Sequence, residues 1–246
     1  MRELIRAGVP RLYVEKPFVA KRGQAFVTEE DYREGLLLLE EARAAGVEVA
    51  VGFNYRAFSA VRLAREASAG WGSAIGVTAT AHYACWSHTI DLIGLFAGPI
   101  RALAALAGER EYGEPPMRTV DRAVSFVTEG GAVGTLRGTA GSAFADALLE
   151  ITVQFERGRA TLRDLGTSLE LADEHGAVTQ HRPPADASRW TLYDRSFADS
   201  ITAYLATVRT GAPPPVTGED GVAELRVEAA IHRSLATHAP VELAAL

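Results

Sequence analysis

Three short stretches of the chain carry side chains that could do chemistry, and the first of them is Glu15-Lys16-Pro17. It follows an apolar run at residues 11–14, which predicts a short strand. The proline holds Lys16 in an extended conformation. A lysine ammonium can donate hydrogen bonds to a substrate hydroxyl or carbonyl oxygen, and its charge can stabilise a developing alkoxide. The alternative interpretation is an exposed Glu-Lys pair at the end of a strand.

The second stretch is Gly52–Arg56, at the end of another predicted strand. Asn54 is the only asparagine in the chain, and Lys16 and Lys21 are the only lysines among 25 basic residues. Ligands of open parallel sheets bind outside the carboxyl ends of the strands. If the two strands are parallel neighbours, Lys16 and Asn54 could therefore line one crevice. The alternative is a polar turn at the end of a strand.

The third stretch is Ser87–Asp91. Ser87 is a predicted helix N-cap, which places His88 in the first turn of the helix. The positive end of a helix disfavours an imidazolium, so His88 could be neutral and able to accept a proton at pH 7. Asp91, three residues later, shares a helix face with His88 and could orient it. The alternative is a histidine with a purely structural role.

Two further patterns are weaker. His82, Cys85, His88 and Asp91 recur at intervals of three and are all metal-ligand types. However, His82 falls on a predicted strand and His88 on a predicted helix, so one shared face is not implied and no metal site is predicted. Residues 70–76 are rich in glycine, but they follow a helix and precede a strand. A dinucleotide-binding turn requires the reverse order.

The elements that must position these residues begin as alternating helix and strand. They are a helix at 2–7, a strand at 11–14, a helix from the N-cap Thr28 to Gly46, and a strand at 47–53. Asp31 completes a capping box with Thr28, and the apolar face of that helix carries Tyr32, Leu36 and Leu39. A strand, a helix and a second strand predict a parallel βαβ crossover of right-handed connection.

After residue 57 the pattern changes to helices and short β-type runs. Predicted helices cover 60–69, 87–96, 196–210 and 219–237, and predicted strands cover 75–82, 101–108, 123–128, 132–138, 148–155, 159–163, 169–171 and 177–181. Glycine turns at 129–131 and 157–158 favour hairpins and hence an antiparallel sheet. The predicted fold is a partial parallel α/β unit at 1–57, followed by an α+β domain at 58–246 whose open, mainly antiparallel sheet is covered by helices.

Composition excludes several classes of protein. The 246 residues are 48% hydrophobic and 23% charged, as in ordinary globular proteins. The net charge of −6 and the absence of a basic run argue against nucleic acid and anionic membrane surfaces as partners. No apolar stretch approaches the roughly 20 residues of a membrane span. The charged N-terminus is unlike a signal peptide. A single cysteine, Cys85, excludes an internal disulfide. A reducing cytoplasm is the expected location.

Four segments in this order, at 4–18, 47–67, 87–98 and 197–234, resemble the Gfo/Idh/MocA family of glucose–fructose oxidoreductase and inositol dehydrogenase relatives. The resemblance implies an N-terminal Rossmann domain that binds NAD or NADP and a C-terminal α/β domain whose open sheet often mediates oligomers. It also implies interconversion of a hydroxyl and a carbonyl group on a sugar, cyclitol or similar polyol.

The resemblance also implies roles for individual residues. Lys16 would bind and polarise the substrate oxygen beside the nicotinamide, and His88 would take or give the hydroxyl proton. The cofactor side of the crevice would comprise Glu15, Lys16, Pro17, Asn54 and Arg56. The family commonly has an aspartate four residues before this histidine, where this chain has Ala84.

The opening βα units of the family's Rossmann domain, with their glycine-rich phosphate turn, have no counterpart in the sequence. We therefore expect an N-terminally truncated relative that binds NAD or NADP weakly or not at all on its own. We also expect a homo-oligomer, because a one-layer sheet leaves an apolar face that needs cover. The alternative function is a non-catalytic dimerising or binding protein built from the family's C-terminal sheet.

Overall fold

The computed structural model describes residues 1–115, 117–141 and 146–246. Its helices are α1 (Arg2–Arg6), α2 (Glu29–Ala44), α3 (Ser59–Ser68), α4 (Trp86–Ala97), α5 (Arg189–Thr210) and α6 (Gly218–Thr237). Its strands are β1 (Arg11–Val14), β2 (Glu48–Val51), β3 (Ala74–His82), β4 (Ile100–Tyr112), β5 (Thr119–Thr128), β6 (Val133–Thr139), β7 (Leu149–Phe155), β8 (Gly158–Arg163), β9 (Ser168–Asp173), β10 (Val178–His181) and β11 (Val241–Glu242). One-turn 3₁₀ helices lie at Asn54–Ala57 and Tyr83–Cys85.

The first part of the chain forms the predicted βαβ unit. β1 and β2 pair in parallel, from Arg11 opposite Glu48 to Val14 opposite Val51. α2 connects them and begins at the predicted capping box, in which the Thr28 backbone N–H donates to the Asp31 carboxylate at 2.9 Å. The prediction of a small parallel sheet is confirmed.

The buried face of α2 differs from the prediction. Tyr32 is buried as expected, but Leu36 and Leu39 are half-buried and the neighbouring Leu38 is the buried leucine. The reason is that α2 packs on α6 as well as on the small sheet, so side chains on more than one face of the helix are buried. At Gly35 an added Cβ would lie 2.8 Å from Leu225 Cδ1, so glycine allows this close approach.

The second part is a nine-stranded sheet in the order β10-β9-β8-β7-β3-β6-β5-β4-β11. Neighbouring strands are antiparallel except β3 and β6, which are parallel. The prediction of an open, mainly antiparallel sheet is confirmed, including the hairpins β5–β6 and β7–β8. Sequence analysis did not identify the parallel pair or β11, a strand of two residues that pairs with β4.

Helices cover one face of this sheet, and the other face points outward. Burial alternates along β6, where Leu136 is buried while Thr135 and Arg137 are exposed. α4 lies directly on the covered face. An added Cβ at Gly138 would be 2.5 Å from Trp86 Cζ3. The missing side chain at this glycine of β6 therefore leaves room for the indole of Trp86, the first residue of α4.

α6 joins the two parts of the structure. Leu225 and Ala229 belong to the hydrophobic cluster of the small sheet, whereas Ala230 and Ile231 belong to that of the large sheet. Residues near the C-terminus therefore complete the core of the first 57 residues. The division into domains at 1–57 and 58–246 stays a prediction. No helix in the described ranges is long and apolar enough to cross a membrane.

Candidate active site

Lys16 leaves the end of β1 and reaches across to the turn that precedes α4. Its ammonium Nζ donates to the backbone carbonyl of Ala84 at 3.2 Å and to Gln24 Oε1 at 2.8 Å. The Lys16–Pro17 peptide bond is cis, and Glu15 is exposed beside it. Desolvation lowers the pKa of Lys16, and the nearby acidic groups, Cys85 and Glu15 first, oppose that shift. A desolvated, fixed ammonium is therefore bound to the carbonyl of Ala84, which lies four residues before His88.

His88 lies in the first turn of α4, but its helix is not capped as predicted. The N-cap is Cys85, which makes no side-chain cap hydrogen bond, and Ser87 lies inside the helix. The helix begins earlier because the 3₁₀ turn at Tyr83–Cys85 leads straight into it. The prediction of Ser87 as N-cap is wrong, while the place of His88 in the first turn is unchanged.

The His88 imidazole is 1% exposed and stacks on the ring of Tyr55. The ring centroids are 3.7 Å apart and the planes differ by 6°. Burial, and then the charge of Lys16, hold the pKa of His88 well below its usual range. The imidazole is therefore neutral at pH 7, and Nδ1 has no hydrogen-bond partner within the described part of the chain. Sequence analysis missed Tyr55, although it directly follows Asn54.

Asp91 does not orient His88, contrary to the prediction. Its carboxylate accepts two hydrogen bonds from Arg56 Nε, at 2.9 and 3.1 Å, and one from Nη2 at 2.5 Å. Arg56 Nη2 also donates to Asp220 Oδ1 at 2.9 Å. Asp91 turns to Arg56 because a guanidinium satisfies a buried carboxylate through two nitrogens, which the stacked imidazole cannot do.

This ion cluster is mostly shielded from water. Burial raises the pKa of Asp91 to about 6, against the hydrogen bonds and charge of Arg56. Burial disfavours the charged form of Arg56, but Asp91 and Asp220 outweigh it and raise the pKa of Arg56. The cluster lies at one side of a cleft of about 620 Å³ between α2, α4 and α6. The guanidinium of Arg56 is thus already bound to protein carboxylates.

Asn54 connects the end of β2 to α5. Its Nδ2 donates to Ser196 Oγ at 2.6 Å, and the Ser196 hydroxyl donates in turn to the Tyr193 carbonyl at 2.6 Å. Asn54 is fully buried, and its Oδ1 has no partner among the residues that the structure describes. Beside it, Tyr55 OH lies 3.1 Å from Cys85 Sγ. The turn after β2 therefore contacts both α5 and the start of α4.

The ends of β1 and β2 approach closely at Gly52. An added Cβ there would lie 3.1 Å from Glu15 Oε1 and 3.4 Å from the Val14 carbonyl oxygen. Glycine thus leaves the space between the two strand ends narrow but open. The structure brings Lys16 and His88 to one side of the molecule, within range of each other's charge. Tyr55 connects His88 to the turn that carries Asn54.

The residues present fit the nicotinamide end of a dinucleotide better than its phosphates. Asn54 Oδ1 and His88 Nδ1 are buried polar atoms with open hydrogen-bonding capacity next to the two strand ends. The parallel strands β1 and β2 are followed by Glu15-Lys16-Pro17 and Gly52-Phe53-Asn54. Neither turn has the repeated glycines that hold a pyrophosphate at a helix N-terminus. In the described ranges no group of three or more His, Cys, Asp and Glu side chains could hold a metal ion.

Comparison with known proteins shows the family of the chain. The family profile "Oxidoreductase family, C-terminal alpha/beta domain" matches residues 53–243. No curated protein sequence is significantly similar to the chain.

Solved structures share the fold at low sequence identity. An oxidoreductase from Agrobacterium radiobacter, in complex with NAD+, L-tartaric acid and magnesium, is 17% identical with a TM-score of 0.78, covering 99% of this chain and 77% of that one. Levoglucosan dehydrogenase, in complex with NADH and levoglucosan, is 15% identical with a TM-score of 0.79, covering 97% and 75%. The UDP-N-acetylglucosamine 3-dehydrogenase GnnA from Acidithiobacillus ferrooxidans is 16% identical with a TM-score of 0.73, covering 96% and 74%.

The Arg56–Asp91 pair yields a prediction about stability. Arg56→Met leaves a buried carboxyl without its partner, so it should lower the free energy of unfolding by about 3 kcal/mol near pH 8. A carboxyl whose pKa is raised in the folded state stabilises the fold below its unfolded pKa, and this contribution is lost as the pH rises through the folded pKa. Without Arg56 the pKa of Asp91 in the folded state is higher still. The decrease in the free energy of unfolding caused by Arg56→Met should therefore be smaller near pH 5, where Asp91 is mostly protonated.

Urea unfolding near both pH values measures this difference. Arg62→Met is the matched control, because the Arg62 side chain is 53% exposed and its ion pair with Asp199 spans 3.8 Å. It should change stability little at either pH. An equal loss at both pH values for Arg56→Met would contradict a role for the Asp91 charge.

Proposed function

Because the chain belongs to the Gfo/Idh/MocA oxidoreductase family, whose C-terminal domain matches residues 53–243, we propose that it interconverts a hydroxyl and a carbonyl group on a sugar, cyclitol or similar polyol. The sugar dehydrogenases among its structural neighbours support this substrate class. The observation that carries the proposal is the bond from Lys16 Nζ to the Ala84 carbonyl. It fixes a desolvated ammonium beside the helix turn that holds a neutral His88.

In the proposed reaction Lys16 and His88 are the catalytic residues. Lys16 donates a hydrogen bond to the reacting oxygen, and its charge stabilises the alkoxide as the hydroxyl proton leaves. His88 accepts that proton during oxidation and returns it during reduction. Since burial and Lys16 both lower the pKa of His88, the protonated imidazole gives up its proton readily. Stacking on Tyr55 holds the ring in place while the proton moves.

A nicotinamide dinucleotide, NAD or NADP, supplies the hydride acceptor or donor when it is bound. Glu15, Lys16, Pro17 and Asn54 lie at the ends of β1 and β2 and would contact its nicotinamide end. Arg56 lies in the same turn as Asn54, but its guanidinium is bound to Asp91 and Asp220. Its contribution on the cofactor side would therefore be to hold the turn that presents Asn54.

Substitution of the two proposed catalytic residues tests the function. With a sugar or cyclitol substrate and cofactor at saturating concentration, Lys16→Met and His88→Gln should each lower kcat by roughly a hundredfold or more. Each removes a group that meets charge in the transition state, so the affinity for cofactor should change far less. Formation of reduced nicotinamide measures turnover.

The chain offers a matched control for each substitution. Lys21 is the only other lysine and is exposed, with its Nζ 2.7 Å from Glu30. His232 is an exposed histidine on α6. Lys21→Met and His232→Gln should keep kcat near the wild-type value. Unchanged turnover in His88→Gln would assign proton transfer elsewhere, and the absence of turnover in the wild-type chain would favour the non-catalytic binding protein.

The 246-residue chain should bind the free cofactor weakly. Dinucleotide affinity rests largely on a pyrophosphate held by backbone amides of a glycine turn at a helix N-terminus. The described strand ends offer contacts for the nicotinamide end only. In isothermal titration NADH and NADPH should therefore bind no more tightly than reduced nicotinamide mononucleotide. A dissociation constant in the low micromolar range for either dinucleotide would contradict this expectation.

The outward face of the large sheet supports the proposal of a homo-oligomer. Leu106 in β4 and Val133 in β6 are 76% and 65% exposed on this face. Small side chains such as Thr78 and Ser125 lie on the same face, and such a surface can pack against a second sheet.

Substitution on this face tests self-association. Leu106→Glu should shift the protein to monomer in sedimentation velocity at micromolar concentration, because association would bury the introduced charge. Leu37→Glu, at a half-exposed leucine on α2, is the control and should leave the oligomer intact. A wild-type chain that is monomeric under these conditions would contradict the proposal.

A further inference from the structure

Two glutamates of α6 are buried next to each other. Glu224 and Glu228 stand one helical turn apart, and each residue is 2% exposed. Both carboxyl oxygens of Glu224 and one of Glu228 have no hydrogen-bond partner in the part of the chain that is described. Burying an unpaired carboxylate costs several kcal/mol, and the proposed roles of Lys16 and His88 do not account for that cost.

The packing of α6 places these glutamates beside Lys16. Phe18, two residues after Lys16, lies against α6 so closely that an added Cβ at Gly221 would be 3.0 Å from Phe18 Cβ. The charges of Glu224 and Glu228 both act on Lys16, and the charge of Lys16 acts on both glutamates. The segment from Lys16 to Phe18 and one face of α6 thus bring an ammonium and two carboxyls together.

Besides Lys16, the groups that act on the pair come from two other elements, β5 and α4. Arg122 of β5 and the Trp86 indole of α4 act on Glu228 and favour its ionised form. Asp91 of α4 acts on Glu224 and disfavours its ionised form. The neighbouring groups therefore favour ionisation of Glu228 over that of Glu224, although both residues lie on the same helix.

Two adjacent buried carboxyls cannot both be ionised near neutral pH. Burial, and then the neighbouring Glu228, raise the pKa of Glu224 well above its usual range. Burial raises the pKa of Glu228 to about 7, and Arg122 and Trp86 limit that rise. The pair as a whole therefore carries about one negative charge above neutral pH, mainly on Glu228.

We propose that Glu224 and Glu228 act as positioning residues that place one shared negative charge beside Lys16 and keep its ammonium protonated for the substrate oxygen. The hydrogen-bond acceptors of the Lys16 ammonium among the described residues, the Ala84 carbonyl and Gln24 Oε1, are both neutral. A carbonyl holds the ammonium in place but supplies no full counter-charge. Glu15 and the carboxyl pair on α6 supply that charge.

The role of the pair in turnover rests on the proposed function, whereas its effect on Lys16 does not. The chain has only two lysines, so Lys21→Arg leaves Lys16 as the only lysine. Labelling lysine with ¹³C at Cε then gives one NMR signal whose chemical shift follows the protonation of Lys16. A pH titration of this signal measures the pKa of Lys16 without substrate, cofactor or activity.

Two isosteric substitutions separate the roles of the glutamates. Glu228→Gln in the Lys21→Arg background should lower the pKa of Lys16, because it removes an opposite charge that acts on the ammonium. Glu224→Gln should leave the pKa of Lys16 unchanged or raise it, because Glu228 ionises more easily without a carboxyl beside it. Equal pKa values of Lys16 in Glu228→Gln and in the parent protein would overturn the proposal.

The Lys21→Arg protein with both glutamates intact provides a check that does not depend on folding of the glutamate variants. Its Lys16 signal should show a second inflection near pH 7, where Glu228 ionises, and a titration without it would overturn the proposal. In the turnover assay the alkaline limb of kcat should move to lower pH in Glu228→Gln and not in Glu224→Gln. A lowered pKa of Lys16 with an unmoved alkaline limb would overturn the role in turnover alone.

Discussion

The structure depends on one helix that is buried on two sides. A sheet of two strands cannot enclose a core of its own, and β1–β2 becomes part of a stable fold only because α6 covers it. Leu225 and Ala229 face the small sheet, and Ala230 and Ile231 face the large one. The Ser234 hydroxyl of α6 also accepts the backbone N–H of Ala105 at 2.9 Å, which fixes the helix on β4. Every residue from Val227 to Ile231 of this helix is buried, so the polar residue in that stretch, Glu228, is buried as well.

The charged groups of the site follow from that burial. Asp220 caps α6 by accepting the Thr217 backbone N–H at 2.8 Å, and it accepts Arg56 Nη2 with its other oxygen. Arg56 in turn binds Asp91 of α4, so one guanidinium joins the start of α6, the turn after β2 and the middle of α4. In a low dielectric, removing one partner of such a cluster lowers the free energy of unfolding by several kcal/mol, because it leaves a buried charge unpaired. The net contribution of the intact cluster to stability is nevertheless modest. Its main effect here is geometric, because it fixes α4 relative to the turn that carries Asn54 and Tyr55.

Much of this fold could be predicted from local sequence signals. The capping box at Thr28 and Asp31, the glycine turns of the hairpins and the alternating apolar residues are local, and the elements they predicted are present. The parallel pairing of β3 with β6 could not be predicted, because residues 76 and 133 meet only through the packing of distant segments. The same reason explains the wrong expectation for Asp91, whose partner Arg56 lies 35 residues away. The start of α5 was missed by several residues, although its N-cap Ser188 accepts the Thr191 N–H at 3.1 Å. The stretches around Lys16, Asn54 and His88 could be selected from residue type, but their partners Ala84, Ser196 and Tyr55 could not.

In the proposed reaction Lys16 must be charged and His88 neutral within one desolvated region, and the surroundings of each favour the required state. Desolvation disfavours both cations, which suits His88 and works against Lys16. The two cations also repel each other, so only one proton is readily held between them. Negative charge must therefore lie on the side of Lys16 and away from His88. The glutamates of α6 act on Lys16, whereas the imidazole is enclosed by the rings of Tyr55 and Phe53. For the proposed reaction, this asymmetry favours a charged lysine and leaves the histidine as the group that exchanges a proton.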